Sequence, residues 1–405
     1  MQRSISAPVA SRSGLRKKRH VAKRATLFTE SVIREMTRVA NECGAINLAQ
    51  GFPDFESPKE LKQAACRAIM DDFNQYAITW GSPRLRDAIA RKVHEFNRIE
   101  CDPAKNLVVT CGATEAMMAS MLSVCDPGDE VVIFEPFYEN YGPDAAISGA
   151  RPRFVPLKPP EWRFDEERLK RAFSKKTKAI IVNTPNNPLG KVFTKDELKI
   201  IADLCVDHDA LAVTDEIYEH IIYDGLKHIS IATLPGMAER TITICGFSKT
   251  YSVTGWRVAY TVASPELTGA IKRIHDFLTV GAPAPLQEAC VAALALPERY
   301  YKDLVTMYDR KRKILMDALR AAGFRAYLPR AAYYVMCDAE NVMEKLGAKD
   351  DTDLAMKLAR DIGVAPVPGS SFYGKKELGA KQVRFMFSKK DETLLKAADR
   401  LAKLA

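Results

Sequence analysis

The chain lacks the long apolar segment that a membrane-spanning helix requires. No uninterrupted apolar run in its 405 residues approaches the roughly 20 residues needed to cross a bilayer. A disulfide framework is missing too, because the nine cysteines are an odd number, scattered from Cys43 to Cys337 without a CxxC pair. We interpret them as buried thiols of a reducing compartment. Histidine is scarce, and none of the six falls at a metal-ligand spacing, so we expect no metal site.

Acidic residues are absent from the start of the chain. Residues 1–24 hold eight Lys or Arg, and the first acidic residue is Glu30. The net charge is +9, yet the remaining residues carry 52 basic against 51 acidic side chains. Because the charge is confined to one end, it predicts neither a nucleic-acid surface nor a membrane surface. We predict a basic disordered tail over residues 1–28, with an organelle transit peptide as the alternative, on an otherwise cytoplasmic protein.

The rest of the chain alternates short β-branched apolar runs with segments of helical periodicity. This alternation predicts an α/β fold, with a mostly parallel sheet between helices. The strands predicted for the sheet are 107–111, 131–134, 153–157, 179–182, 211–214, 241–245 and 256–262. A long helix over 299–322 then leads into a C-terminal part of mixed strands and helices. We predict an N-terminal segment over 29–50, a large domain over 51–300 and a small domain over 301–405.

Polar clusters follow several of these strands. The first strand is followed by Gly112-Ala113-Thr114, a glycine turn before a helix, with Thr114 as the expected N-cap and backbone amides free to bind an anion. The other clusters are Tyr138, the run from Asn183 to Gly190 with Asn187 inside it, Asp215-Glu216-Ile217-Tyr218, and Ser248-Lys249 followed by Arg257. Strand exits lie along one edge of a parallel sheet, so these residues are expected to converge on one crevice.

The convergent set matches what pyridoxal phosphate needs from a protein. That cofactor requires a lysine for a Schiff base, a carboxylate beside its pyridine nitrogen and an anion site for its phosphate. Lys249, Asp215 and the glycine turn with Arg257 provide these groups. The residues alone therefore predict a pyridoxal-phosphate enzyme.

Four motifs make a family resemblance specific. NNPLGK, DEIYEH, SKTYSVTGWR and VRFMFS occur together in this order, and the chain from about Thr29 to its C-terminus resembles the class I and II aminotransferases of fold type I. It is most similar to their kynurenine, methionine and broad-specificity branch. The resemblance implies a large domain with a mostly parallel seven-stranded sheet, plus a smaller α+β domain built from the N-terminal segment and the C-terminal part.

The resemblance also implies roles for individual residues. Lys249 matches the Schiff-base lysine, Asp215 the partner of the pyridine nitrogen, and Tyr218 with Asn187 the pair that hydrogen-bonds the phenolic oxygen of the ring. Residues matching the ring-stacking aromatic and the phosphate neighbourhood are Tyr138, Gly112, Ala113, Thr114, Ser248 and Arg257. Arg384 matches the arginine that grips the substrate α-carboxylate, assisted by Gly51. Tyr76 matches a tyrosine that reaches the cofactor phosphate of the neighbouring subunit, which implies a homodimer with shared sites.

The sequence departs from many relatives at two places and leaves the substrate open. Gly246 stands where relatives have a hydroxyl that bonds the phosphate, and Ala331-Ala332 stand where glycine is common. Thr114, where some bacterial members have lysine, disfavours a strict dicarboxylate donor. By resemblance, the residues expected to line an apolar pocket are Phe52, Trp80 and Phe372. The expected substrates are thus an aromatic, methionine or kynurenine-like donor and a 2-oxo acid acceptor.

Two other functions use the same scaffold. A carbon–sulfur β-lyase or an aminocyclopropane carboxylate synthase-like enzyme needs the same lysine, so the motifs do not separate them from an aminotransferase. A transcription regulator of this fold needs a DNA-binding domain of some 60 residues ahead of it. The 24-residue basic segment is too short for that and lacks helix-turn-helix patterning.

Overall fold

A computed structural model describes residues 20–405 of the chain. Its helices α1 to α13 are Val32–Cys43, Lys59–Met70, Pro83–Lys92, Ala113–Val124, Tyr141–Ser148, Glu166–Ala172, Lys195–Asp207, Pro265–Thr279, Ala284–Leu294, Glu298–Ala321, Glu340–Leu346, Asp351–Lys357 and Asp391–Leu401. Its strands β1 to β14 are Ile46–Asn47, Leu107–Thr110, Glu130–Glu135, Arg151–Lys158, Arg163–Phe164, Thr177–Asn183, Leu211–Asp215, Thr241–Gly246, Ala259–Val262, Arg325–Ala326, Tyr334–Asp338, Val364–Ala365, Val367–Pro368 and Gln382–Met386. Among the described residues, no helix combines the length and apolar character needed to cross a membrane.

The main sheet has eight strands in the order β2-β9-β8-β7-β6-β3-β4-β5. Strands β8, β7, β6, β3 and β4 run parallel, whereas β9 is antiparallel to both of its neighbours. The mostly parallel α/β prediction is confirmed. The strand count was one short, because the edge strand Arg163–Phe164 has only two residues, paired with Leu157 and Lys158, and shows no apolar pattern.

Helices cover both faces of this sheet because alternate side chains of its central strands point to opposite sides. On β3, Val132 and Phe134 pack in one core with residues of α7, such as Leu198. Val131 and Ile133 pack in a separate core with residues of α4 and α8. The near-continuous apolar runs of the sequence are therefore strands that are buried on both faces.

A second, antiparallel sheet has the order β10-β11-β14-β13. The N-terminal segment joins this part of the molecule, since β1 pairs in parallel with β12 through Ile46 opposite Val364. The predicted domain limits stay a prediction. Most of the predicted tail lies outside the described residues, although Lys23–Thr26 forms one short 3-10 turn.

Candidate active site

A cavity of about 430 Å³ opens where the ends of β6, β7 and β8 meet the start of α4. Of the residues predicted to bind the cofactor or the substrate α-carboxylate, all but Gly112 and Tyr76 line it: they are Gly51, Ala113, Thr114, Tyr138, Asn187, Asp215, Tyr218, Ser248, Lys249, Arg257 and Arg384. These residues span more than 330 positions of the chain, so the convergence expected from the strand exits is observed.

Lys249 lies three residues beyond the end of β8 and places its amine in the cavity. Its Nζ donates to the carbonyl oxygen of Gly51 over 3.4 Å. Burial lowers the pKa of Lys249, and the positive charges of Arg257 and Arg384 act in the same direction, while Tyr334 and Asp215 oppose them. A larger share of this amine is therefore neutral at a given pH than for an exposed lysine.

Asp215, the last residue of β7, faces the same cavity and is held by two hydrogen bonds. Tyr141 Oη donates to Oδ2 over 2.8 Å, and the backbone N–H of Ile217 donates to Oδ1 over 3.3 Å. Burial raises the pKa of Asp215, and these two hydrogen bonds act against that increase. Such a carboxylate is ready to pair with a positively charged ring nitrogen.

Tyr141 and Asp144 are site residues that the sequence reasoning missed. Both lie on α5, which was not predicted, because Gly142 and Pro143 near its start obscure the helical pattern. Asp144 is 3% exposed, and its Oδ2 has no hydrogen-bond partner among the described residues. Burial raises the pKa of its carboxyl well above the usual range. The one signal for Tyr141 was its position three residues after Tyr138.

Arg384, on β14, is fully buried and only partly satisfied. Its Nη1 donates to Asn187 Oδ1 over 2.8 Å and its Nη2 to the carbonyl oxygen of Ala49 over 2.6 Å. The guanidinium lies between two rings, 4.2 Å from the centroid of Tyr334 and 4.8 Å from that of Phe372. Its Nε has no partner among residues 20–405. A buried donor without a partner indicates a place for a ligand.

Tyr218, Tyr333 and Tyr334 link the loop that follows Asp215 with the sheet that carries Arg384. The hydroxyl of Tyr218 lies 2.9 Å from that of Tyr334, and Tyr333 donates to the Gly51 carbonyl oxygen over 3.1 Å. Tyr333 and Tyr334 were not among the predicted site residues, since nothing in the local pattern shows that they meet residue 218.

The glycine turn forms a cradle with Arg257. Gly112 is the N-cap of α4 with φ of 87°, and a Cβ there would lie 2.5 Å from Arg257 Nη2. The prediction of Thr114 as the N-cap was wrong, because the turn at Gly112 lets the helix begin at Ala113. Arg257 also differs from prediction: it precedes β9 with φ of 56°, and its Nη1 donates to the Thr254 carbonyl oxygen over 3.1 Å.

Of the two departures from the family pattern, the structure explains the one at Gly246 and offers no reason for the alanine at position 332. A Cβ on Gly246 would lie 2.6 Å from the Cβ of Ala259 on the neighbouring strand, so a side chain with a hydroxyl does not fit there. Ala332 adopts φ of 56°, and its N–H donates to the Ile221 carbonyl oxygen over 2.8 Å. Neither Ala331 nor Ala332 lines the cavity.

The expected apolar pocket is only partly correct. Phe52 lines the cavity, but Phe372 is fully buried behind the Arg384 guanidinium. Trp80 lies outside the cavity of its own chain, with the Lys272 ammonium 4.9 Å from its ring centroid. Tyr76 also lies outside, with 91% of its surface exposed.

The described residues fit pyridoxal phosphate. A Cβ on residue 112 would clash with Arg257, so the absence of a side chain at Gly112 lets the guanidinium lie directly beside the N-terminus of α4. A guanidinium next to a helix N-terminus suits a phosphate. The buried Asp215 and the half-buried Lys249 face one cavity, as a ring-nitrogen partner and a covalent anchor require. The unpartnered Nε of Arg384 leaves a donor for a substrate carboxylate.

Comparison with known proteins agrees with this geometry. Residues 44–401 match the family described as "Aminotransferase class I and II". A kynurenine–oxoglutarate transaminase of Dictyostelium discoideum is 37% identical over 95% of this chain and 96% of its own length. The structure of N-succinyldiaminopimelate aminotransferase from Mycobacterium tuberculosis superposes with a TM-score of 0.91 at 36% identity, covering 95% of this chain and all of the other. A methionine aminotransferase from Escherichia coli gives 0.89 at 32% identity, covering 95% and 99%.

Motifs, fold and site thus agree, and the family match over residues 44–401 includes every predicted residue that lines the cavity. The chain belongs to the class I and II aminotransferases and is a pyridoxal-phosphate-dependent enzyme of fold type I that moves amino groups between amino acids and 2-oxo acids.

Proposed function

We propose that this enzyme takes the amino group of an aromatic, methionine or kynurenine-like amino acid, and that Lys249 is its covalent anchor and proton carrier. The observation that carries the proposal is the cavity in which the Lys249 amine, the Asp215 carboxylate and the Arg384 guanidinium converge. Those groups are a base, a ring partner and a carboxylate receptor.

The cofactor would be held from several sides. Lys249 would bind it covalently, Asp215 would face its ring nitrogen, and Asn187 with Tyr218 its phenolic oxygen. Tyr138 would lie against the ring, and the phosphate would be bound by Gly112, Ala113, Thr114, Ser248 and Arg257. When bound, pyridoxal phosphate supplies the electron sink that makes the α-proton of an amino acid acidic.

The protein residues then position the substrate and move the proton. Arg384 and Gly51 would orient the α-carboxylate, because a guanidinium can form two parallel hydrogen bonds with it. The neutral Lys249 amine would take the α-proton and pass it to the neighbouring cofactor carbon within the same half-reaction. In the second half-reaction, with the 2-oxo acid, it would carry a proton in the reverse direction. Its lowered pKa supports this role, since the unprotonated form is the base.

The donor class is supported by Phe52 in the cavity lining and by relatives named for kynurenine and methionine. Aspartate aminotransferases of Thermus thermophilus are also similar in structure. Thr114 stands where some bacterial members have a lysine, however, and the lack of that positive charge argues against a dicarboxylate amino donor for this chain. The test is a panel of amino donors at fixed 2-oxoglutarate, with pyruvate release measured in parallel. Pyruvate as the main product would show the β-lyase alternative instead.

We further propose a homodimer with shared sites. Large apolar side chains of the segments 69–80 and 277–280 are exposed, including Met70 at 81%, Tyr76 at 91% and Phe277 at 92%. The segments lie together, since His275 Nε2 is 2.9 Å from the Thr79 carbonyl oxygen. A contiguous exposed apolar patch supports a protein interface.

The cytoplasmic location also stays a proposal. It is supported by the nine free cysteines, and imaging a tagged chain would test it.

The assignment of Lys249 is tested by borohydride reduction of the purified holoenzyme, followed by peptide mapping. The reduced cofactor is expected on the peptide that contains Lys249. Lys249→Ala should keep cofactor through the ring and phosphate contacts while losing turnover by several orders of magnitude, because anchor and base disappear together. Reduced cofactor on another lysine would contradict the assignment.

A further inference from the structure

A second cavity, of about 1280 Å³, lies between the C-terminal ends of α3 and α9, the start of α10 and the segment that follows β7. We call it the α3–α10 cavity. Its polar lining includes Arg91, Lys92, Glu219, His220, Lys227 and His228. None of its lining residues lines the active-site cavity, and nothing in the transamination chemistry uses it.

The floor of this cavity is a hydrogen-bonded ion pair. Lys92 Nζ is paired with Glu219 Oε1 and donates to Asn97 Oδ1 over 2.8 Å, while Asn97 Nδ2 donates to Glu219 Oε2 over 2.7 Å. Glu216, Glu219 and His228 have ligand atoms within 4.8 Å of one another, as a metal site would. The Lys92 ammonium already balances Glu219, so the floor favours no added cation.

Two imidazoles of the cavity have unused hydrogen-bonding capacity. His220 Nε2 and His228 Nδ1 are buried without a partner among the described residues, and the two side chains are 10% and 2% exposed. Burial lowers the pKa of His220 to about 3, so this ring is neutral. Buried polar atoms are nearly always satisfied by protein, water or a ligand.

Charge and shape indicate the class of ligand. Arg91 and Lys227 have no ion-pair partner in the described part of the chain, whereas Lys302 is paired with Glu298. Glu95 also lines the cavity without such a partner, so the unpaired charges there are two positive and one negative. The wall is apolar and aromatic: Phe96 is 43% exposed, and the centroid of the His220 ring lies 4.1 Å from that of Phe96 and 4.5 Å from that of Tyr301, both rings tilted to it. A flat apolar body with one anionic group matches this combination.

We propose that the α3–α10 cavity is a second binding site, for a small aromatic anion such as an aryl carboxylate or sulfonate. Its ring would pack beside Phe96 and Leu294, its anionic group would face Arg91 and Lys227, and the imidazoles of His220 and His228 would complete the polar contacts.

The probe for the test is anilinonaphthalene sulfonate, an aromatic anion that fluoresces in apolar surroundings. Titration of the holoenzyme, with 2-oxoglutarate present to occupy the active site, is expected to show a single site per chain. Arg91→Gln combined with Lys227→Gln should raise the Kd by about tenfold or more, because charge-assisted contacts are lost. Val291→Trp, which places an indole ring in the cavity wall and narrows the space, should weaken binding as well.

The matched control is Arg171→Gln combined with Lys175→Gln, two exposed cations outside the cavity, and it should change the Kd by less than about twofold. Equal weakening by both double variants would mean non-specific charge attraction and would overturn the proposal. A signal that is present without 2-oxoglutarate and lost in its presence would place the probe in the active site and would also overturn the proposal. The absence of any saturable signal would overturn it too, because the cavity would then hold only water. If Val291→Trp does not fold, the two double variants still decide.

Discussion

Arg384 shows how a single buried residue can combine fold and function. Its two Nη atoms are bound by Asn187 and the Ala49 carbonyl oxygen, and two aromatic rings hold the guanidinium plane. Burial lowers its pKa from the usual value. The side chain is thus fixed before any substrate arrives, which reduces the entropy lost on binding.

Replacing Arg384 should damage both half-reactions. Arg384→Ala removes the proposed carboxylate receptor and should lower kcat/KM by roughly thirty- to several-thousand-fold, as expected for losing a charge-assisted pair of about 2–5 kcal/mol. Arg384→Lys should recover little, because an ammonium cannot form the planar fork. Steady-state kinetics with one amino acid and one 2-oxo acid measure this. Normal kinetics in the alanine variant would place the carboxylate site elsewhere.

The lowered pKa of Lys249 gives a prediction with a defined sign. The measurement is competitive labelling of the cofactor-free protein with acetic anhydride at a series of pH values. The pH at which the labelling rate of Lys249 is half its maximum should lie below the ordinary lysine pKa of about 10.4. Arg257→Gln should move that midpoint up, because a positive neighbour is lost, and Asp215→Asn should move it further down. The exposed Lys375 is the internal reference for reagent decay. A midpoint in wild type at or above the ordinary value would contradict the argument.

At the residue scale, the sequence identified the groups that occur in motifs and missed those that act through tertiary contact. Lys249, Asp215 and Arg384 stand in recognisable surroundings. Tyr141 became visible only when its hydroxyl was found 2.8 Å from Asp215 Oδ2. The sequence pattern did not reveal the helix that carries Tyr141, because Gly142 and Pro143 weaken the periodicity by which a helix is recognised.

At the scale of elements, the turn from β2 into α4 decides how closely Arg257 approaches the helix N-terminus. The strand and the helix were predictable from their patterns, but the first residue of α4 was not. Cap geometry sets where a helix begins. Here the cap is Gly112 at φ of 87°, so α4 begins at Ala113, one residue before Thr114. The short strand β5 escaped prediction for a related reason, since two residues carry no period.

Gly112→Ala tests this junction. The added Cβ would lie 2.5 Å from Arg257 Nη2, so the guanidinium must move, and affinity for pyridoxal phosphate should fall by about tenfold or more. Gly128→Ala is the matched control, since Gly128 has φ of 104° and open space around its Cβ position. It should lose stability of about 1 kcal/mol from backbone strain and keep its cofactor affinity. Reconstitution titrations by absorbance compare the two, and equal losses of affinity would mean that strain alone is responsible.

At the scale of the whole molecule, the layered architecture was predictable because it follows from alternation of strands and helices. The pairing of Ile46 with Val364 was implied only by family resemblance, since contacts over such separations leave no local trace. The exposed apolar face formed by segments 69–80 and 277–280 is a similar case. In one chain, Met70, Tyr76 and Phe277 face solvent, which is costly for side chains of this size and number.

A second copy of the chain would account for that face and for the position of Tyr76. Tyr76 lies outside the cavity of its own chain, and a two-fold axis can bring such a residue to the site of the partner. We predict an obligate dimer whose sites each combine Lys249 of one chain with Tyr76 of the other. Sedimentation should show dimers at all concentrations at which the enzyme is active.

Subunit complementation tests the shared site directly. Tyr76→Ala and Lys249→Ala homodimers should each be inactive or severely impaired, the first for want of a phosphate contact and the second for want of the anchor. After subunit exchange, confirmed with differently tagged chains, half of the sites in each hybrid dimer combine an intact Lys249 with an intact Tyr76 from the partner, so activity should return. Mixing Lys249→Ala with Asp215→Ala is the control: both changes affect residues that face one cavity of one chain, so neither site of that hybrid is complete and no activity should appear. Confirmed exchange without recovery in the first mixture would mean that Tyr76 acts within its own chain or has no part in the site.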